Sequence, residues 1–171
     1  NENGAKNNDK VVVAIDKYEK EYSNPEGHIV EVLGNVNATG VDITAIARRF
    51  DLPYQFSKAT LQEVEQLPTE VTAKDRRDRK DLRRKFTVTI DGADAKDFDD
   101  AISVEKRGKF YNLYVHIADV THYLRPGSAL DKDAFERGNS VYLLDRVIPM
   151  LPEELSNGLC SLLPGEDRLT M

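Results

Sequence analysis

The densest group of side chains capable of chemistry in this 171-residue chain is a run of five aspartates within ten residues: Asp91, Asp94, Asp97, Asp99 and Asp100. The run contains no glutamate, and the apolar residues Ile90 and Phe98 precede and interrupt it. A solvated acidic loop usually mixes Asp with Glu and Lys, so a surface loop is the weaker interpretation. Carboxylates packed together repel and resist ionisation, and a hard cation with oxygen ligands relieves that repulsion. The cluster therefore predicts a metal site.

The spacing of the aspartates predicts a loop. On a single strand, Asp97 and Asp99 would share one face and Asp100 would point away. The segment must turn to bring the carboxylates together. We therefore expect a loop folded around an ion, between a strand that ends at Ile90 and one that starts near Ala101.

Two familiar carboxylate motifs do not fit this spacing. An EF-hand loop needs oxygen ligands at positions 1, 3 and 5, but position 5 counted from Asp97 is Ala101 and position 3 counted from Asp94 is Lys96. A phosphotransferase with an Asp-x-Asp pair would need a second aspartate where Ala93 stands. What remains is a cluster that binds one or two Mg²⁺, with Mn²⁺ as the alternative ion, for phosphodiester cleavage.

The residues before the cluster predict strands and then helices. Two β-strands, 11–15 and 28–33, are expected on either side of a charged turn. Apolar residues at helical spacing predict a helix over 43–50 capped by Thr39 or Asp42, and a second helix that starts at Ser57. The basic run 74–85 is expected to be an exposed helical connector, with a phosphate-contacting surface as the alternative.

The residues after the cluster predict a hairpin and a helix. Alternating residues indicate strands over 102–105 and 110–117 with a turn at Gly108, and Ser128 is expected to cap a helix that ends at Gly138. Short elements are expected at 141–144, 148–152 and 153–160. The histidines are expected to be structural: His28, His116 and His122.

Composition limits the class of protein. The net charge is −6, and residues 86–171 account for it with 9 basic and 15 acidic side chains, against 15 of each in residues 1–85. No stretch is long and apolar enough for a membrane span, and the single Cys160 suits a reducing cytoplasm. We expect a cytoplasmic, monomeric protein. We also expect the chain to be a piece of a longer protein, since it begins without Met and stops within a strand-like segment.

Four segments together resemble the catalytic domain of the ribonuclease II/ribonuclease R (RNB) family: 89–101 with the aspartates, 115–120, 137–142 and 147–162. The form Asp-Gly-Ala-Asp at 91–94 is similar to the bacterial ribonuclease R branch. Upstream, residues 10–36 resemble the end of a cold-shock, OB-type domain. The resemblance implies an α+β fold with a disordered tail (1–9), a partial cold-shock β-barrel (10–36), a helical connector (37–85) and the N-terminal part of an RNB catalytic domain (86–171).

The resemblance also implies a function, namely processive, Mg²⁺-dependent hydrolysis of single-stranded RNA from its 3′ end to nucleoside 5′-monophosphates. The family's four motif aspartates fall on Asp91, Asp97, Asp99 and Asp100, all as metal ligands. Asp99 would be the residue most critical for cleavage, and Asp97 would help to position the metal or the reacting end. Tyr142 would contact the last nucleotides of the RNA.

The family's later active-site arginine and glutamate are missing from this chain, so the isolated piece is expected to be inactive or nearly so. The alternative is a non-catalytic RNA-binding module with a structural metal site. The aspartates argue against it, because each would repel RNA unless a metal intervened.

Overall fold

The computed structural model describes residues 2–18 and 24–171. Helices and strands both contribute, which confirms the predicted α+β class. The strands are β1 (Asp9–Lys17), β2 (Glu26–Asn35), β3 (Thr87–Val88), β4 (Asp100–Arg107), β5 (Phe110–Ile117), β6 (Val141–Tyr142) and β7 (Val147–Ile148), and the helices are α1 (Val41–Arg49), α2 (Lys58–Val64) and α3 (Ala129–Arg137). The chain divides into two compact units, unit 1 (Asn1–Tyr54 and Val141–Ile148) and unit 2 (Gln55–Ser140 and Pro149–Met171).

Unit 1 is built on an antiparallel pair of long strands, β1 and β2, whose register shifts between Lys10 and Val11 and again between Val12 and Val13. These irregularities bend the ribbon, as bulges do in small barrels. The two strands extend beyond the predicted ranges 11–15 and 28–33. The predicted charged turn between them falls largely on residues 19–23, which lie outside the described residues.

The start of α1 corrects a prediction. Its N-cap is Gly40, with φ of 82°, and no side chain caps the helix, so neither Thr39 nor Asp42 does so. A left-handed φ suits glycine because it has no Cβ. Before β1, where the sequence predicts a disordered tail, residues 2–8 form turns, and the Asn3 side chain donates a hydrogen bond to the carbonyl of Val30.

Unit 2 contains the three-stranded antiparallel sheet β3-β4-β5, with β4 in the centre. The predicted hairpin turn is confirmed, since β4 and β5 pair from Asp100 with Ile117 to Arg107 with Phe110. The apolar core lies beside the sheet and is formed by α2, α3, the loops around them and the C-terminal segment. Its buried members are Val64, Val71, Ala118, Tyr123, Leu130, Leu155, Leu159, Cys160 and Leu169.

Helices α2 and α3 each begin at a capping serine, and each start also donates a hydrogen bond to a carboxylate of the other helix. Ser57 accepts a hydrogen bond from the Thr60 amide and caps α2, as predicted, and Ser128 does the same for α3 through the Asp131 amide. In addition, the Ser57 amide donates to the carboxylate of Asp133 (2.8 Å), and the Leu130 amide donates to Glu63 (2.9 Å). Each helix therefore supplies a carboxylate that satisfies an amide at the start of the other, which stabilises the pair against sliding.

The basic run 74–85 does not form the predicted third helix, because residues 73–78 make turns and the remainder is irregular. Three of its arginines form ion pairs with carboxylates of unit 2. Arg76 and Arg83 contact Asp167 at 2.6 and 3.0 Å, and Arg79 contacts Asp119. These pairs tie the run to the unit, although most of its residues are exposed, so the connector is exposed as predicted but is not helical. Within the described ranges, no helix is both long and apolar enough to cross a bilayer.

Candidate functional site

The aspartates occupy the connection between two neighbouring strands of unit 2. Strand β3 ends at Val88 and β4 begins at Asp100, so the first four aspartates lie in a loop and Asp100 is the first residue of the central strand. A turn in which the Ala95 amide donates to the Gly92 carbonyl (3.0 Å) reverses the chain between Asp91 and Asp97. The predicted loop is confirmed, but the strand before it ends at Val88 and not at Ile90, and the strand after it starts at Asp100, one residue earlier than expected.

The end of the loop is fixed by β5. Asp100 pairs with Ile117, and the Ala118 amide donates to the Asp99 carbonyl at 2.9 Å. Since both contacts involve backbone atoms of a regular sheet, the Cα positions of Asp99 and Asp100 are held as firmly as the sheet itself.

The Asp99 carboxyl lies near other negative charges of the cluster. Desolvation raises the pKa of the Asp99 carboxyl, and the negative charges of Asp97, Asp100 and Asp91 raise it further. Among the five aspartates, all of which the structure describes, only Asp94 takes no part in this effect on Asp99. The charges of three of the residues that the resemblance selects therefore reach the fourth, Asp99, and the role of the four as metal ligands stays a prediction.

The donor set suits a hard cation, although the four carboxylates do not form a closed cage. Across residues 2–18 and 24–171, no three acidic, histidine or cysteine side chains are arranged to hold a metal ion. Mg²⁺ rarely needs such a cage, because one or two protein carboxylates commonly hold it while waters and substrate phosphates complete the octahedron. Oxygen donors with mutual repulsion, next to open solvent, fit that mode of binding.

The three histidines have partners elsewhere. His116 is buried and shares a 2.8 Å hydrogen bond with Ser103, His122 contacts Asp75 at 3.1 Å, and His28 contacts Asp16 at 2.8 Å. Each of these contacts is of the kind expected for a structural histidine.

Tyr142 lies on β6 in unit 1, whereas the aspartates belong to unit 2. Its side chain is 68% exposed, and its backbone is opposite Val147 in the β6-β7 pair. An exposed aromatic ring can stack on a nucleotide base. The contact of Tyr142 with RNA stays a prediction.

One residue of the site could not be found from the sequence. Ser161, inside the segment 147–162 that contributes to the resemblance, has its hydroxyl bonded to the backbone of the aspartate loop. Nothing in its type or spacing distinguishes it from other serines, and only the tertiary contacts reveal it.

The family model of the RNB domain matches residues 79–171, more than half of the chain, including the five aspartates of the cluster. The chain belongs to the RNB domain family. A model of a cold shock domain matches residues 1–57. These two matches confirm the resemblance drawn from the sequence, and the cold-shock match extends through α1, well beyond the predicted residue 36.

This chain is similar to curated ribonuclease R proteins along its own whole length. It is 54% identical to Ribonuclease R of Thermotoga maritima over 100% of this chain and 24% of that protein. It is 47% identical to Ribonuclease R of Escherichia coli over 98% of this chain and 21% of that protein. The chain thus spans about a quarter of the length of these relatives.

Solved structures give the same result. Mycoplasma genitalium RNase R in complex with double-stranded RNA superposes with a TM-score of 0.90 at 34% identity, over 98% of the RNB-family chain and 30% of that chain. Yeast Ssd1, described as a pseudonuclease, superposes with a TM-score of 0.71 at 23% identity, over 95% of this chain and 21% of its own. The second match concerns the fold alone.

Proposed function

We propose that this chain supplies the aspartate part of the active site of an exoribonuclease, which hydrolyses RNA processively from the 3′ end and releases nucleoside 5′-monophosphates with Mg²⁺ as its cofactor. The observation that carries the proposal is the position of Asp99 in the loop before β4, where burial and the negative charges of Asp97, Asp100 and Asp91 raise the pKa of its carboxyl. Such a group, unfavourable by itself, is typical of a site that receives a divalent cation and a phosphate.

The four carboxylates would have different roles in RNA cleavage. Asp91 and Asp100 would hold Mg²⁺, Asp97 would position the metal or the 3′ end, and Asp99 would be the carboxylate most critical for cleavage. When bound, Mg²⁺ supplies positive charge at the scissile phosphodiester and lowers the pKa of an attacking water.

The proposed substrate is single-stranded RNA. The mycoplasmal relative has been solved with double-stranded RNA and with ribose-methylated single-stranded RNA, which supports RNA as the partner of this chain. Tyr142 would stack on a base near the 3′ end. The arginines that pair with Asp119 and Asp167 are already neutralised within unit 2, so we do not assign them to the RNA.

A second candidate is a non-catalytic RNA-binding module in which the aspartates hold a structural metal. The fold shared with a pseudonuclease favours keeping this candidate. The two candidates differ in the expected effect of Asp99→Asn. In a non-catalytic module, the substitution would lower the metal affinity and the melting temperature, and there would be no RNA cleavage for it to abolish.

The decisive experiment uses the protein at the full length of its relatives, with 5′-labelled single-stranded RNA and Mg²⁺. The wild type should give a ladder of products that shortens from the 3′ end. Asp99→Asn should abolish the ladder while retaining RNA binding in a gel-shift assay, and Asp94→Asn, a change of the same size in the same loop, should leave the ladder intact. RNA binding with no cleavage by the wild type in Mg²⁺ or Mn²⁺ would favour the second candidate.

A further inference from the structure

Ser161 contacts the aspartate loop on both sides of Asp97. Its hydroxyl donates a hydrogen bond to the Lys96 carbonyl (2.6 Å) and accepts one from the Phe98 amide (3.1 Å). The first of these groups belongs to the peptide bond before Asp97, and the second belongs to the peptide bond after it. One hydroxyl therefore restrains the backbone on both sides of Asp97 and so fixes the direction in which its side chain leaves the loop.

The next two peptides are restrained by backbone groups. The Leu162 amide donates to the Phe98 carbonyl and the Ala118 amide donates to the Asp99 carbonyl, each at 2.9 Å. Together with the two hydrogen bonds of Ser161, these two contacts give each of the four peptide bonds between residues 96 and 100 a fixed hydrogen-bond partner. Ser161 is the part of this arrangement that a side-chain substitution can remove.

Ser161 is itself held rigidly. It is 1% exposed, and it follows a π-helical turn, Glu154–Leu159. Its carbonyl and that of Gly158 both accept hydrogen bonds from Nε of Arg168, at 2.8 and 3.1 Å. A buried serine supported in this way can transmit the rigidity of the core to a loop that otherwise contacts solvent.

We infer that Ser161 is a positioning residue, which orients Asp97 and thereby sets the affinity of the chain for a divalent cation. The effect of Ser161 on metal affinity rests on the proposed function, whereas its restraint of the loop backbone does not. The physical reason is that carboxylates which repel one another would move apart unless their backbone were held. Groups that hydrogen-bond behind the ligands of a metal commonly contribute about tenfold or more to its affinity.

The test compares four forms of this chain: wild type, Ser161→Ala, Ser161→Thr and Ser156→Ala. Ser161→Thr keeps the hydroxyl and should recover much of the wild-type behaviour. Ser156→Ala is the matched control, because Ser156 is a partly buried serine of the π-helical turn before Ser161, and its hydroxyl contacts Pro152 and Asn157. If Ser161→Ala does not fold, Ser161→Cys replaces it, since a thiol keeps the volume but is a weak hydrogen-bonding group.

Two measurements are made at a temperature well below the melting temperature of each variant. The first is amide hydrogen exchange at Phe98 in metal-free buffer, which should become roughly tenfold faster in Ser161→Ala. The second is Mn²⁺ affinity by electron paramagnetic resonance, which should fall by about tenfold in the same variant. A merely structural serine would lower the melting temperature without changing either quantity.

The outcomes separate the two proposals. Unchanged exchange at Phe98 in Ser161→Ala would overturn the restraint of the loop, and unchanged Mn²⁺ affinity with faster exchange would overturn the link from the loop to the metal. If the wild type took up no Mn²⁺, the metal-dependent function would fall together with the metal part of this inference, while the exchange result would still decide the restraint.

Discussion

Arg79 forms an ion pair with Asp119, a carboxylate whose side chain is only 11% exposed. Burial by itself raises the pKa of Asp119, but hydrogen bonds from Arg79 and Thr121 outweigh that effect and leave the pKa below its usual range. The Asp119 amide also donates to the Leu169 carbonyl at 2.9 Å. The pair thus joins the basic run to the segment that closes the core of unit 2.

Arg79→Met should destabilise the chain at pH 7 by roughly 2–3 kcal/mol, between the values typical of exposed and of buried pairs. The loss arises because Asp119 is left charged and largely buried. Since the pKa of Asp119 is lower in the folded state, the stabilisation is present above about pH 4 and is lost as the pH falls through the folded value. The difference between wild type and variant should therefore shrink below about pH 4.

Urea denaturation at pH 7 and at pH 3 measures this effect. Arg77→Met removes an exposed arginine from the same run and is the matched control, with an expected change of less than about 0.5 kcal/mol. Equal losses for the two variants at pH 7 would show that the pair with Asp119 has no special role.

Asp99→Asn should stabilise the metal-free chain at neutral pH. The raised pKa of Asp99 means that its charged form is less favourable in the folded than in the unfolded state. Removing that charge relieves the repulsion, so the melting temperature should rise by about 1–3 °C at pH 7. The gain should disappear as the pH falls below the ordinary carboxyl value of about 4, because the wild-type group is then protonated in both states.

Differential scanning calorimetry in a chelator measures this gain. Asp94→Asn should cause a smaller change, since Asp94 does not contribute to the repulsion at Asp99. A lower melting temperature for Asp99→Asn than for wild type would contradict the prediction.

Divalent metal should stabilise the wild-type chain and lose that effect in variants of its ligands. At a Mn²⁺ concentration of 100 times the dissociation constant, binding should contribute about 2.7 kcal/mol, and a chelator should reverse it. Asp91→Asn and Asp100→Asn should reduce the Mn²⁺-dependent rise in melting temperature, whereas Asp94→Asn should retain it. An equal response of all three variants would mean that the loop binds cations by charge alone.

Ser128→Ala should destabilise unit 2 by about 1 kcal/mol, because the Asp131 amide at the start of α3 loses its acceptor. Ser128→Asn keeps an oxygen acceptor and should stay close to wild type. Urea denaturation followed by circular dichroism compares the two. A loss as large in the Asn variant would mean that the hydroxyl acts by packing rather than as a cap.

The sequence alone determined the features that depend on local chemistry. Alternating residues fixed the β4-β5 hairpin, and the caps at Ser57 and Ser128 follow from the short-range preference of serine for free amides at helix starts. The functional loop was also predictable, because aspartate is disfavoured in strands, and four of the five aspartates lie outside the sheet while Asp100 is the first residue of β4. The resemblance then selected four of them, and their role as metal ligands stays a prediction.

Only the tertiary structure decided features that depend on distant partners. The run 74–85 has helix-forming residues, but its arginines reach Asp119 and Asp167, some 40 to 91 positions away, and these contacts override local propensity. Gly40 replaced the expected caps of α1 because its φ of 82° requires a residue without Cβ. Ser161 bonds to Lys96, 65 positions earlier. No pattern along the chain encodes such a pairing, since it exists only once the core has folded.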